Sequence, residues 1–390
     1  MTTSVIIVSY RLHRWLEQCL ASVVGVADEV ILVDNGSPGE AVAAVGRRCG
    51  AAVHVLPKNA GFACGVNAGV EKARGDVVAL LNDDAVADPK WPAAAAAALA
   101  DPSVAAVGPK VTLFRPYLEV SLDDEAKVFP PDMRPLGRQL RRLEVDGIQV
   151  PLDSLSGPGV HKVDEETSGG RTERWRWTSG PAPFYVPVPE EAEGRNLVID
   201  GQSVTPQRPV ELINNAGSYL SANGFGGDYG FGAPDDGRFD LSAERFATTG
   251  AAMAARAETF ARIGGLAESY FAYYEDLDWC WRARLAGLRC VYDPASTVRH
   301  VGGASTGGPA ADRVRRLAAR NRLQTLARNA PLPVLWSQLR NPVDRPESKM
   351  VVPIARRVLR GLAERPRLSR AWSAAPREVW NAWAGRDEIW

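Results

Sequence analysis

Val77-Val78-Ala79-Leu80-Leu81-Asn82-Asp83-Asp84 is the stretch on which the fold turns: five apolar residues without polar alternation, ending in an amide and two adjacent acids. A continuous apolar run of this length reads as a strand buried on both faces, as in a parallel sheet covered by helices. Working outward, Val5-Ile6-Ile7-Val8 is a second such run, and Trp15, Leu16, Cys19, Leu20 and Val23 follow it at helical spacing. Glu29 to Val33 predicts another strand, ending in the turn formers Asp34-Asn35-Gly36-Ser37-Pro38-Gly39. Val53 to Leu56 predicts one more, and the glycine-rich Asn59 to Gly69 leads into a helix. Strands alternating with helices imply an α/β domain with a Rossmann-like, mostly parallel sheet and helices on both faces. Ligands of such sheets bind beyond the carboxyl ends of the strands, where Asp34 and Asn82-Asp83-Asp84 fall.

The 390 residues, 45% hydrophobic and 24% charged, suffice for one large core or two smaller ones. The five cysteines, Cys19, Cys49, Cys64, Cys280 and Cys290, are odd in number and lack CxxC spacing, which points away from a disulfide framework or zinc site and toward a reducing cytosol. The N-terminus has no basic segment followed by a long apolar stretch, so no secretory signal is expected. No segment reads as bilayer-spanning, and the alanine run at 93–98 reads as a soluble helix. The net charge is zero, yet residues 311–390 hold 17 Lys/Arg against 7 Asp/Glu. A basic end of this kind is a solvated surface or a site for an anionic membrane or phosphate-bearing partner. No nucleic-acid partner is expected.

Four regions follow: 1–112, the nucleotide-binding half of the sheet domain; 113–240, an inserted lobe of mixed strands and loops; 241–310, the second half; and 311–390, a basic helical region broken by prolines. Within the last, Ile354, Val358, Leu359 and Leu362 share one helix face while Arg356, Arg357 and Arg360 lie elsewhere. That pattern suits peripheral membrane contact, a solvated bundle or a dimer interface.

Four stations could carry chemistry. Asp83 and Asp84, adjacent at the end of an apolar strand, repel unless a cation or donor groups sit there, and a divalent ion bridging to phosphates would serve; an Asx-turn or a cap for the helix near Pro89 is the plain alternative. Asp34 could accept from a base or ribose, or simply cap its own turn. The glycines of Asn59 to Gly69 would let backbone approach a nucleotide. In Tyr270-Phe271-Ala272-Tyr273-Tyr274-Glu275-Asp276-Leu277-Asp278-Trp279, acids at a helix start are surrounded by aromatics, which suits a sugar surface or a partly desolvated general base as well as plain helix-dipole pairing. His300, after a strand, is a candidate further ligand for a metal or diphosphate.

In order, Val5-Ile6-Ile7-Val8-Ser9-Tyr10, Val33-Asp34-Asn35-Gly36-Ser37, Asn59-Ala60-Gly61-Phe62, Leu80-Leu81-Asn82-Asp83-Asp84, Gly250-Ala251, Tyr274-Glu275-Asp276-Leu277-Asp278 and His300-Val301-Gly302-Gly303-Ala304-Ser305 resemble the family 2 glycosyltransferases, in particular a bacterial rhamnosyltransferase-like branch. The resemblance implies a GT-A fold and inverting transfer from a nucleotide diphosphate sugar to a hydroxyl, assisted by Mg²⁺ or Mn²⁺. It implies that Ser9, Asp34, Asn59, Gly61, Asn67, Asn82, Asp83 and Gly250 line the nucleotide-sugar, with Asp34 at the base and Asp83 at the ribose and phosphates. Asp84 and His300 would hold the metal, Asp276 would be the catalytic base, and Glu275, Asp278 and Trp279 would face the acceptor. Asn82 departs from the family's acid at that place. By analogy the donor is dTDP-rhamnose, then UDP-galactofuranose or another UDP-sugar, and the acceptor a saccharide, free or polyprenyl-linked, in bacterial cell-wall polysaccharide synthesis. A sugar nucleotidyltransferase or dinucleotide oxidoreductase should carry a glycine-rich loop after the first strand, where Ser9-Tyr10-Arg11-Leu12-His13 stands instead. A catalytically silent sugar-binding relative is the remaining alternative.

Overall fold

Four apolar runs become neighbouring strands: those at 3–9, 29–34 and 77–82 are buried on both faces, and the one at 52–55 is a partly exposed strand at the sheet's edge. β1 (Thr3–Ser9), β2 (Glu29–Asp34), β3 (Ala52–Val55) and β4 (Val77–Asn82) form a parallel array in the order β4-β1-β2-β3. Alternate residues serve opposite cores: Ile6, Val8, Val78 and Leu80 face one, while Val5, Ile7, Val77, Ala79 and Leu81 face the other. Helices α1 (Leu16–Val23) and α2 (Ala41–Arg48) cover the second core with Leu16, Leu20, Val42 and Val45, and α3 (Phe62–Val70) covers the first with Ala63 and Val66. The computed structural model describes residues 1–168, 171–301, 309–340 and 348–386.

Beyond β4 the sheet continues with strands from later in the chain. Ala252–Arg256 runs antiparallel to β4 and to Val104–Leu113, and Arg289–His300 runs antiparallel to Ala243–Arg245 and to the short Ala85–Ala87. The α/β class expected from the sequence is found, with the parallel part at the N-terminal strands and antiparallel additions beside them.

The chain divides into two compact units, one of residues 1–112, 214–230 and 237–390, the other of 113–213 and 231–236. The second unit is built of short antiparallel strands around a core that includes Leu118, Val120, Leu143, Phe184 and Val186. Residues 214–230 and 237–240, expected within an inserted lobe, belong to the first unit.

The basic C-terminal helices also belong to the first unit. Leu323, Leu326 and Ala327 of helix Pro309–Asn329 and Ile354 and Val358 of helix Ser348–Leu368 enter the same core as Trp279 and Trp281. Gly361 lets these two helices approach, since a Cβ there would lie 2.8 Å from Ala327 Cβ. Of the residues expected to share an apolar helix face, Ile354 and Val358 are buried in this core, while Leu359 is exposed. Among the described residues no helix is long and apolar enough to cross a membrane.

Asp278 pins this arrangement. Fully buried, it meets Arg282 Nε (2.9 Å), Arg328 Nε (2.8 Å), Asn329 Nδ2 (2.8 Å) and Tyr270 Oη (3.2 Å). Burial alone would raise its pKa, but Arg328 and Arg282 outweigh that and hold it below the usual carboxylate value. Removing the carboxylate strands buried guanidinium groups, so Asp278→Ala should cost about 3–5 kcal/mol in urea unfolding, whereas the exposed Glu258→Ala should change stability by under about 0.5 kcal/mol.

Candidate functional site

Strand register brings the candidate residues to one edge. Val8 pairs with Asn82 and Ser9 with Asp34, which aligns the carboxyl ends of β4, β1 and β2. Ala252 pairs with Leu81, and Asn82 N–H donates to Ala251 O at 2.9 Å, so Gly250-Ala251 lies beside Asn82. Asp83 and Asp84 form the tight turn between β4 and Ala85–Ala87, not a cap for the helix Trp91–Ala98. His300 pairs with Ala85, which sets it beside Asp84.

His300 Nε2 lies 3.1 Å from Asp84 Oδ1. Its Nδ1 lies 3.1 Å from Asn214 Oδ1, and Nε2 also lies 3.2 Å from Asn82 Nδ2. In the tautomer in which Nδ1–H donates to the Asn214 carbonyl oxygen, Nε2 would turn its lone pair toward Asn82 and Asp84. A lone pair and a carboxylate oxygen at this separation repel unless a proton or cation sits between them. The mixed nitrogen and oxygen donor pair thus fits a divalent ion that draws its other ligands from substrate and water. Among the described residues no group of three or more His, Cys, Asp or Glu side chains could hold a metal alone. Asp83 points elsewhere, to His13 Nε2 at 2.8 Å, and that hydrogen bond raises the His13 pKa despite partial burial.

Asp276 sits in the first turn of helix Glu275–Leu285. Its Oδ2 accepts Gly250 N–H at 2.7 Å and its Oδ1 accepts Leu277 N–H at 2.7 Å. Burial pushes its carboxyl up, opposed by those two donors. Neighbouring Glu275 is 5% exposed, and its Oε2 has no hydrogen-bond partner among the described residues. Burial and then the Asp276 charge push the Glu275 carboxyl up to about 8. Tyr273 is raised by burial and by the nearby charges of Glu275 and Asp84, which links the two acidic stations electrostatically.

The segment entering this helix is strained: Phe271, Tyr273 and Tyr274 have φ of 71°, 70° and 75°, a region that bulky side chains seldom occupy. Asn321 compensates, its amide donating to the carbonyls of Tyr270, Ala272 and Tyr273 at 3.1, 2.8 and 2.8 Å. Phe62 N–H donates to Phe271 O at 2.6 Å from the other side.

Several expected contacts are occupied by the fold. Asp278 is the buried hub described above, and Trp279, fully buried, stacks on Phe260 at 5.3 Å, so neither can face an acceptor. Asn67 spends its amide on Leu266 N–H and O, both at 2.9 Å. The glycines of the 59–69 loop serve packing: a Cβ on Gly61 would lie 2.5 Å from Phe271 O, one on Gly65 2.5 Å from Val8, and one on Gly69 2.5 Å from Ile6. Asn59 Oδ1 accepts Gly61 N–H, and Asn35 clasps the same loop through Ala60 N–H and Gly61 O. Ser9 is fully buried. Asp34 is 1% exposed, and its Oδ1 accepts Ser37 N–H.

Sequence reasoning missed His13, Asn214 and Asp228. Asp228 Oδ1 accepts from Asn215 Nδ2 at 2.6 Å and Ser218 Oγ at 3.1 Å. The side chain is open to solvent yet ringed by protein; that desolvation, against the two hydrogen bonds, pushes its carboxyl up to about 6, within electrostatic reach of Asp276 and His300.

A family model described as Glycosyl transferase family 2 matches residues 4–148. No curated protein matches the sequence. Similar solved structures include GalNAc-T7 with UDP, GalNAc and Mn²⁺, at 13% identity and TM-score 0.47 over 91% of this chain and 54% of that one. The mannosyltransferase PcManGT from Pyrobaculum calidifontis, with GDP-Man and Mn²⁺, is 14% identical with TM-score 0.42 over 98% and 87%. Glucosyl-3-phosphoglycerate synthase from Mycobacterium tuberculosis, with phosphoglyceric acid, is 20% identical with TM-score 0.25 over 28% and 44%. This chain spans about half the length of the first of these.

The buried Glu275 makes stability depend on pH. With its carboxyl raised from the ordinary 4.5 to about 8, its contribution is full below about 4.5 and is lost as pH rises through about 8. Between pH 5 and 8 its share of the slope approaches about 1.4 kcal/mol per pH unit. Glu275→Gln, which cannot ionise, should give a shallower fall in urea midpoint over that window; identical slopes would mean the native carboxyl is ionised throughout.

Proposed function

We propose that the first unit is an inverting glycosyltransferase centre that uses a nucleotide diphosphate sugar and a divalent cation. The observation carrying this reading is the continuity of one edge: the Asp84–His300 pair follows β4, Asn82 bonds to Ala251, and adjacent Gly250 bonds to Asp276. The Asp84–His300 pair at the strand ends and Asp276 in the first turn of its helix are thus linked through Asn82, Ala251 and Gly250, which supports a cation site near a base, and the family match over residues 4–148 supports the class.

Asp84 and His300 would hold the cation, which when bound neutralises charge on the departing diphosphate. Asp276 accepts the proton of the acceptor hydroxyl. The acceptor oxygen bonds to the anomeric carbon as the bond from that carbon to the diphosphate oxygen breaks, and the nucleotide diphosphate leaves with the electron pair. One in-line displacement inverts the configuration and requires no covalent sugar on the protein. The raised pKa of Asp276 suits a base. Asp228, held through Oδ1, offers its outward oxygen to a sugar hydroxyl. His13 keeps Asp83 oriented at the donor side. By the sequence resemblance, dTDP-rhamnose is the first donor to test and UDP-galactofuranose the second.

Nucleotide diphosphate release from these donors, with water as default acceptor, should proceed with Mn²⁺ and stop with EDTA. Asp276→Asn should lower release about 10²- to 10⁴-fold while Mn²⁺–UDP binding by calorimetry stays unchanged. A purely sugar-binding protein would release nothing under either condition, and wild-type turnover in Asp276→Asn would remove the base assignment.

A further inference from the structure

Asn214 lies in the part of the chain that returns to the first unit after residue 213. Its side chain meets His300 Nδ1 at 3.1 Å. We propose that Asn214 is a positioning residue that fixes His300 in its Nδ1–H tautomer, so that Nε2 presents a lone pair to a cation shared with Asp84. This rests on the metal site of the proposed function and adds a residue outside it.

The argument is one of hydrogen inventory. A neutral imidazole carries a single N–H, and only the other nitrogen can bind a metal. His300 has a strong acceptor on each side: Asn214 Oδ1 at Nδ1, and Asp84 Oδ1, 3.1 Å away, at Nε2. If the hydrogen sat on Nε2, it would bond to the Asp84 carboxylate, and imidazole and carboxylate would satisfy each other with no place for a cation. The Asn214 carbonyl oxygen competes for that hydrogen and draws it to Nδ1. Asn82 acts in the same sense, because its Nδ2–H, 3.2 Å from Nε2, needs a lone pair there. Asn214 therefore decides whether Asp84 and His300 form a closed hydrogen-bonded pair or an open donor pair. The amide suits this task better than a hydroxyl, since its carbonyl oxygen is acceptor only.

The tautomer can be read without metal. The chain has four histidines, so imidazole ¹⁵N spectra can be assigned by substitution. The wild type should show His300 with hydrogen on Nδ1. Asn214→Ala should move hydrogen to Nε2 and weaken Mn²⁺ binding in the presence of UDP, followed by electron paramagnetic resonance, about 10- to 100-fold. Asn214→Asp keeps an acceptor oxygen at the same place and should restore both the Nδ1–H signal and the affinity. An unchanged tautomer and unchanged Mn²⁺ affinity in Asn214→Ala would overturn the proposal. Should Asn214→Ala fail to fold, Asn214→Asp and Asn214→Ser decide it, because only the carboxylate can act as a pure acceptor and the two should diverge. Failure of the wild type itself to bind Mn²⁺ with UDP would instead strike at the proposed function, and the metal-free spectra would still judge Asn214.

Discussion

A carboxylate removed from water must be surrounded by donors or become neutral, and helix Glu275–Leu285 contains both solutions within four residues. Asp278 stays charged because Arg282, Arg328, Asn329 and Tyr270 converge on it. Glu275, with no such donors, has its pKa raised to about 8. The first solution carries the larger structural load. Arg328 and Asn329 come from the C-terminal helix Pro309–Asn329, so the ion cluster docks that helix against the one bearing Asp276. Docking in turn delivers Asn321 to the carbonyls of the strained Tyr270–Tyr273 segment. Without it, three aromatic residues with positive φ would have little reason to keep the conformation that aims Asp276 at Gly250.

The charged surface of the sequence is therefore a poor guide to what is outside. Arg282, Arg284, Arg322 and Arg328 are all buried, and the basic excess of residues 311–390 is partly structural. The spacing of Asp278 and Arg282, four residues apart, was the available sign that one acid of the cluster is paired within its own helix. Hydrophobic patterning could not supply it, because this helix is buried nearly all round and has no polar face to mark its outside.

What the sequence made legible was the set of long apolar strands and the acids at their ends, because a five-residue run with no alternation admits few alternatives. Asp84, Asp276 and His300 were singled out as candidates that way, by position after a strand or at a helix start. Asn214 and Asp228 were not, because the strands carrying or flanking them, Ile213–Asn215, Ser218–Leu220 and Gly226–Asp228, have three residues each and show no period. Glycines misled in the opposite direction. Gly61, Gly65 and Gly69 looked like room for a ligand, but the space they provide is filled by Phe271, Val8 and Ile6. Composition gives the absence of a side chain; only tertiary structure says which neighbour exploits it.

The position of β4 has a consequence for synthesis. Its neighbour on one side, β1, precedes it, but its neighbour on the other, Ala252–Arg256, lies some 170 residues downstream. A nascent chain that has emerged only through residue 148 thus carries β4 as an open edge, with Val77 to Leu81 unpaired on that flank. That edge can close only after residues 113–213 have also emerged, because its partner strand lies beyond them.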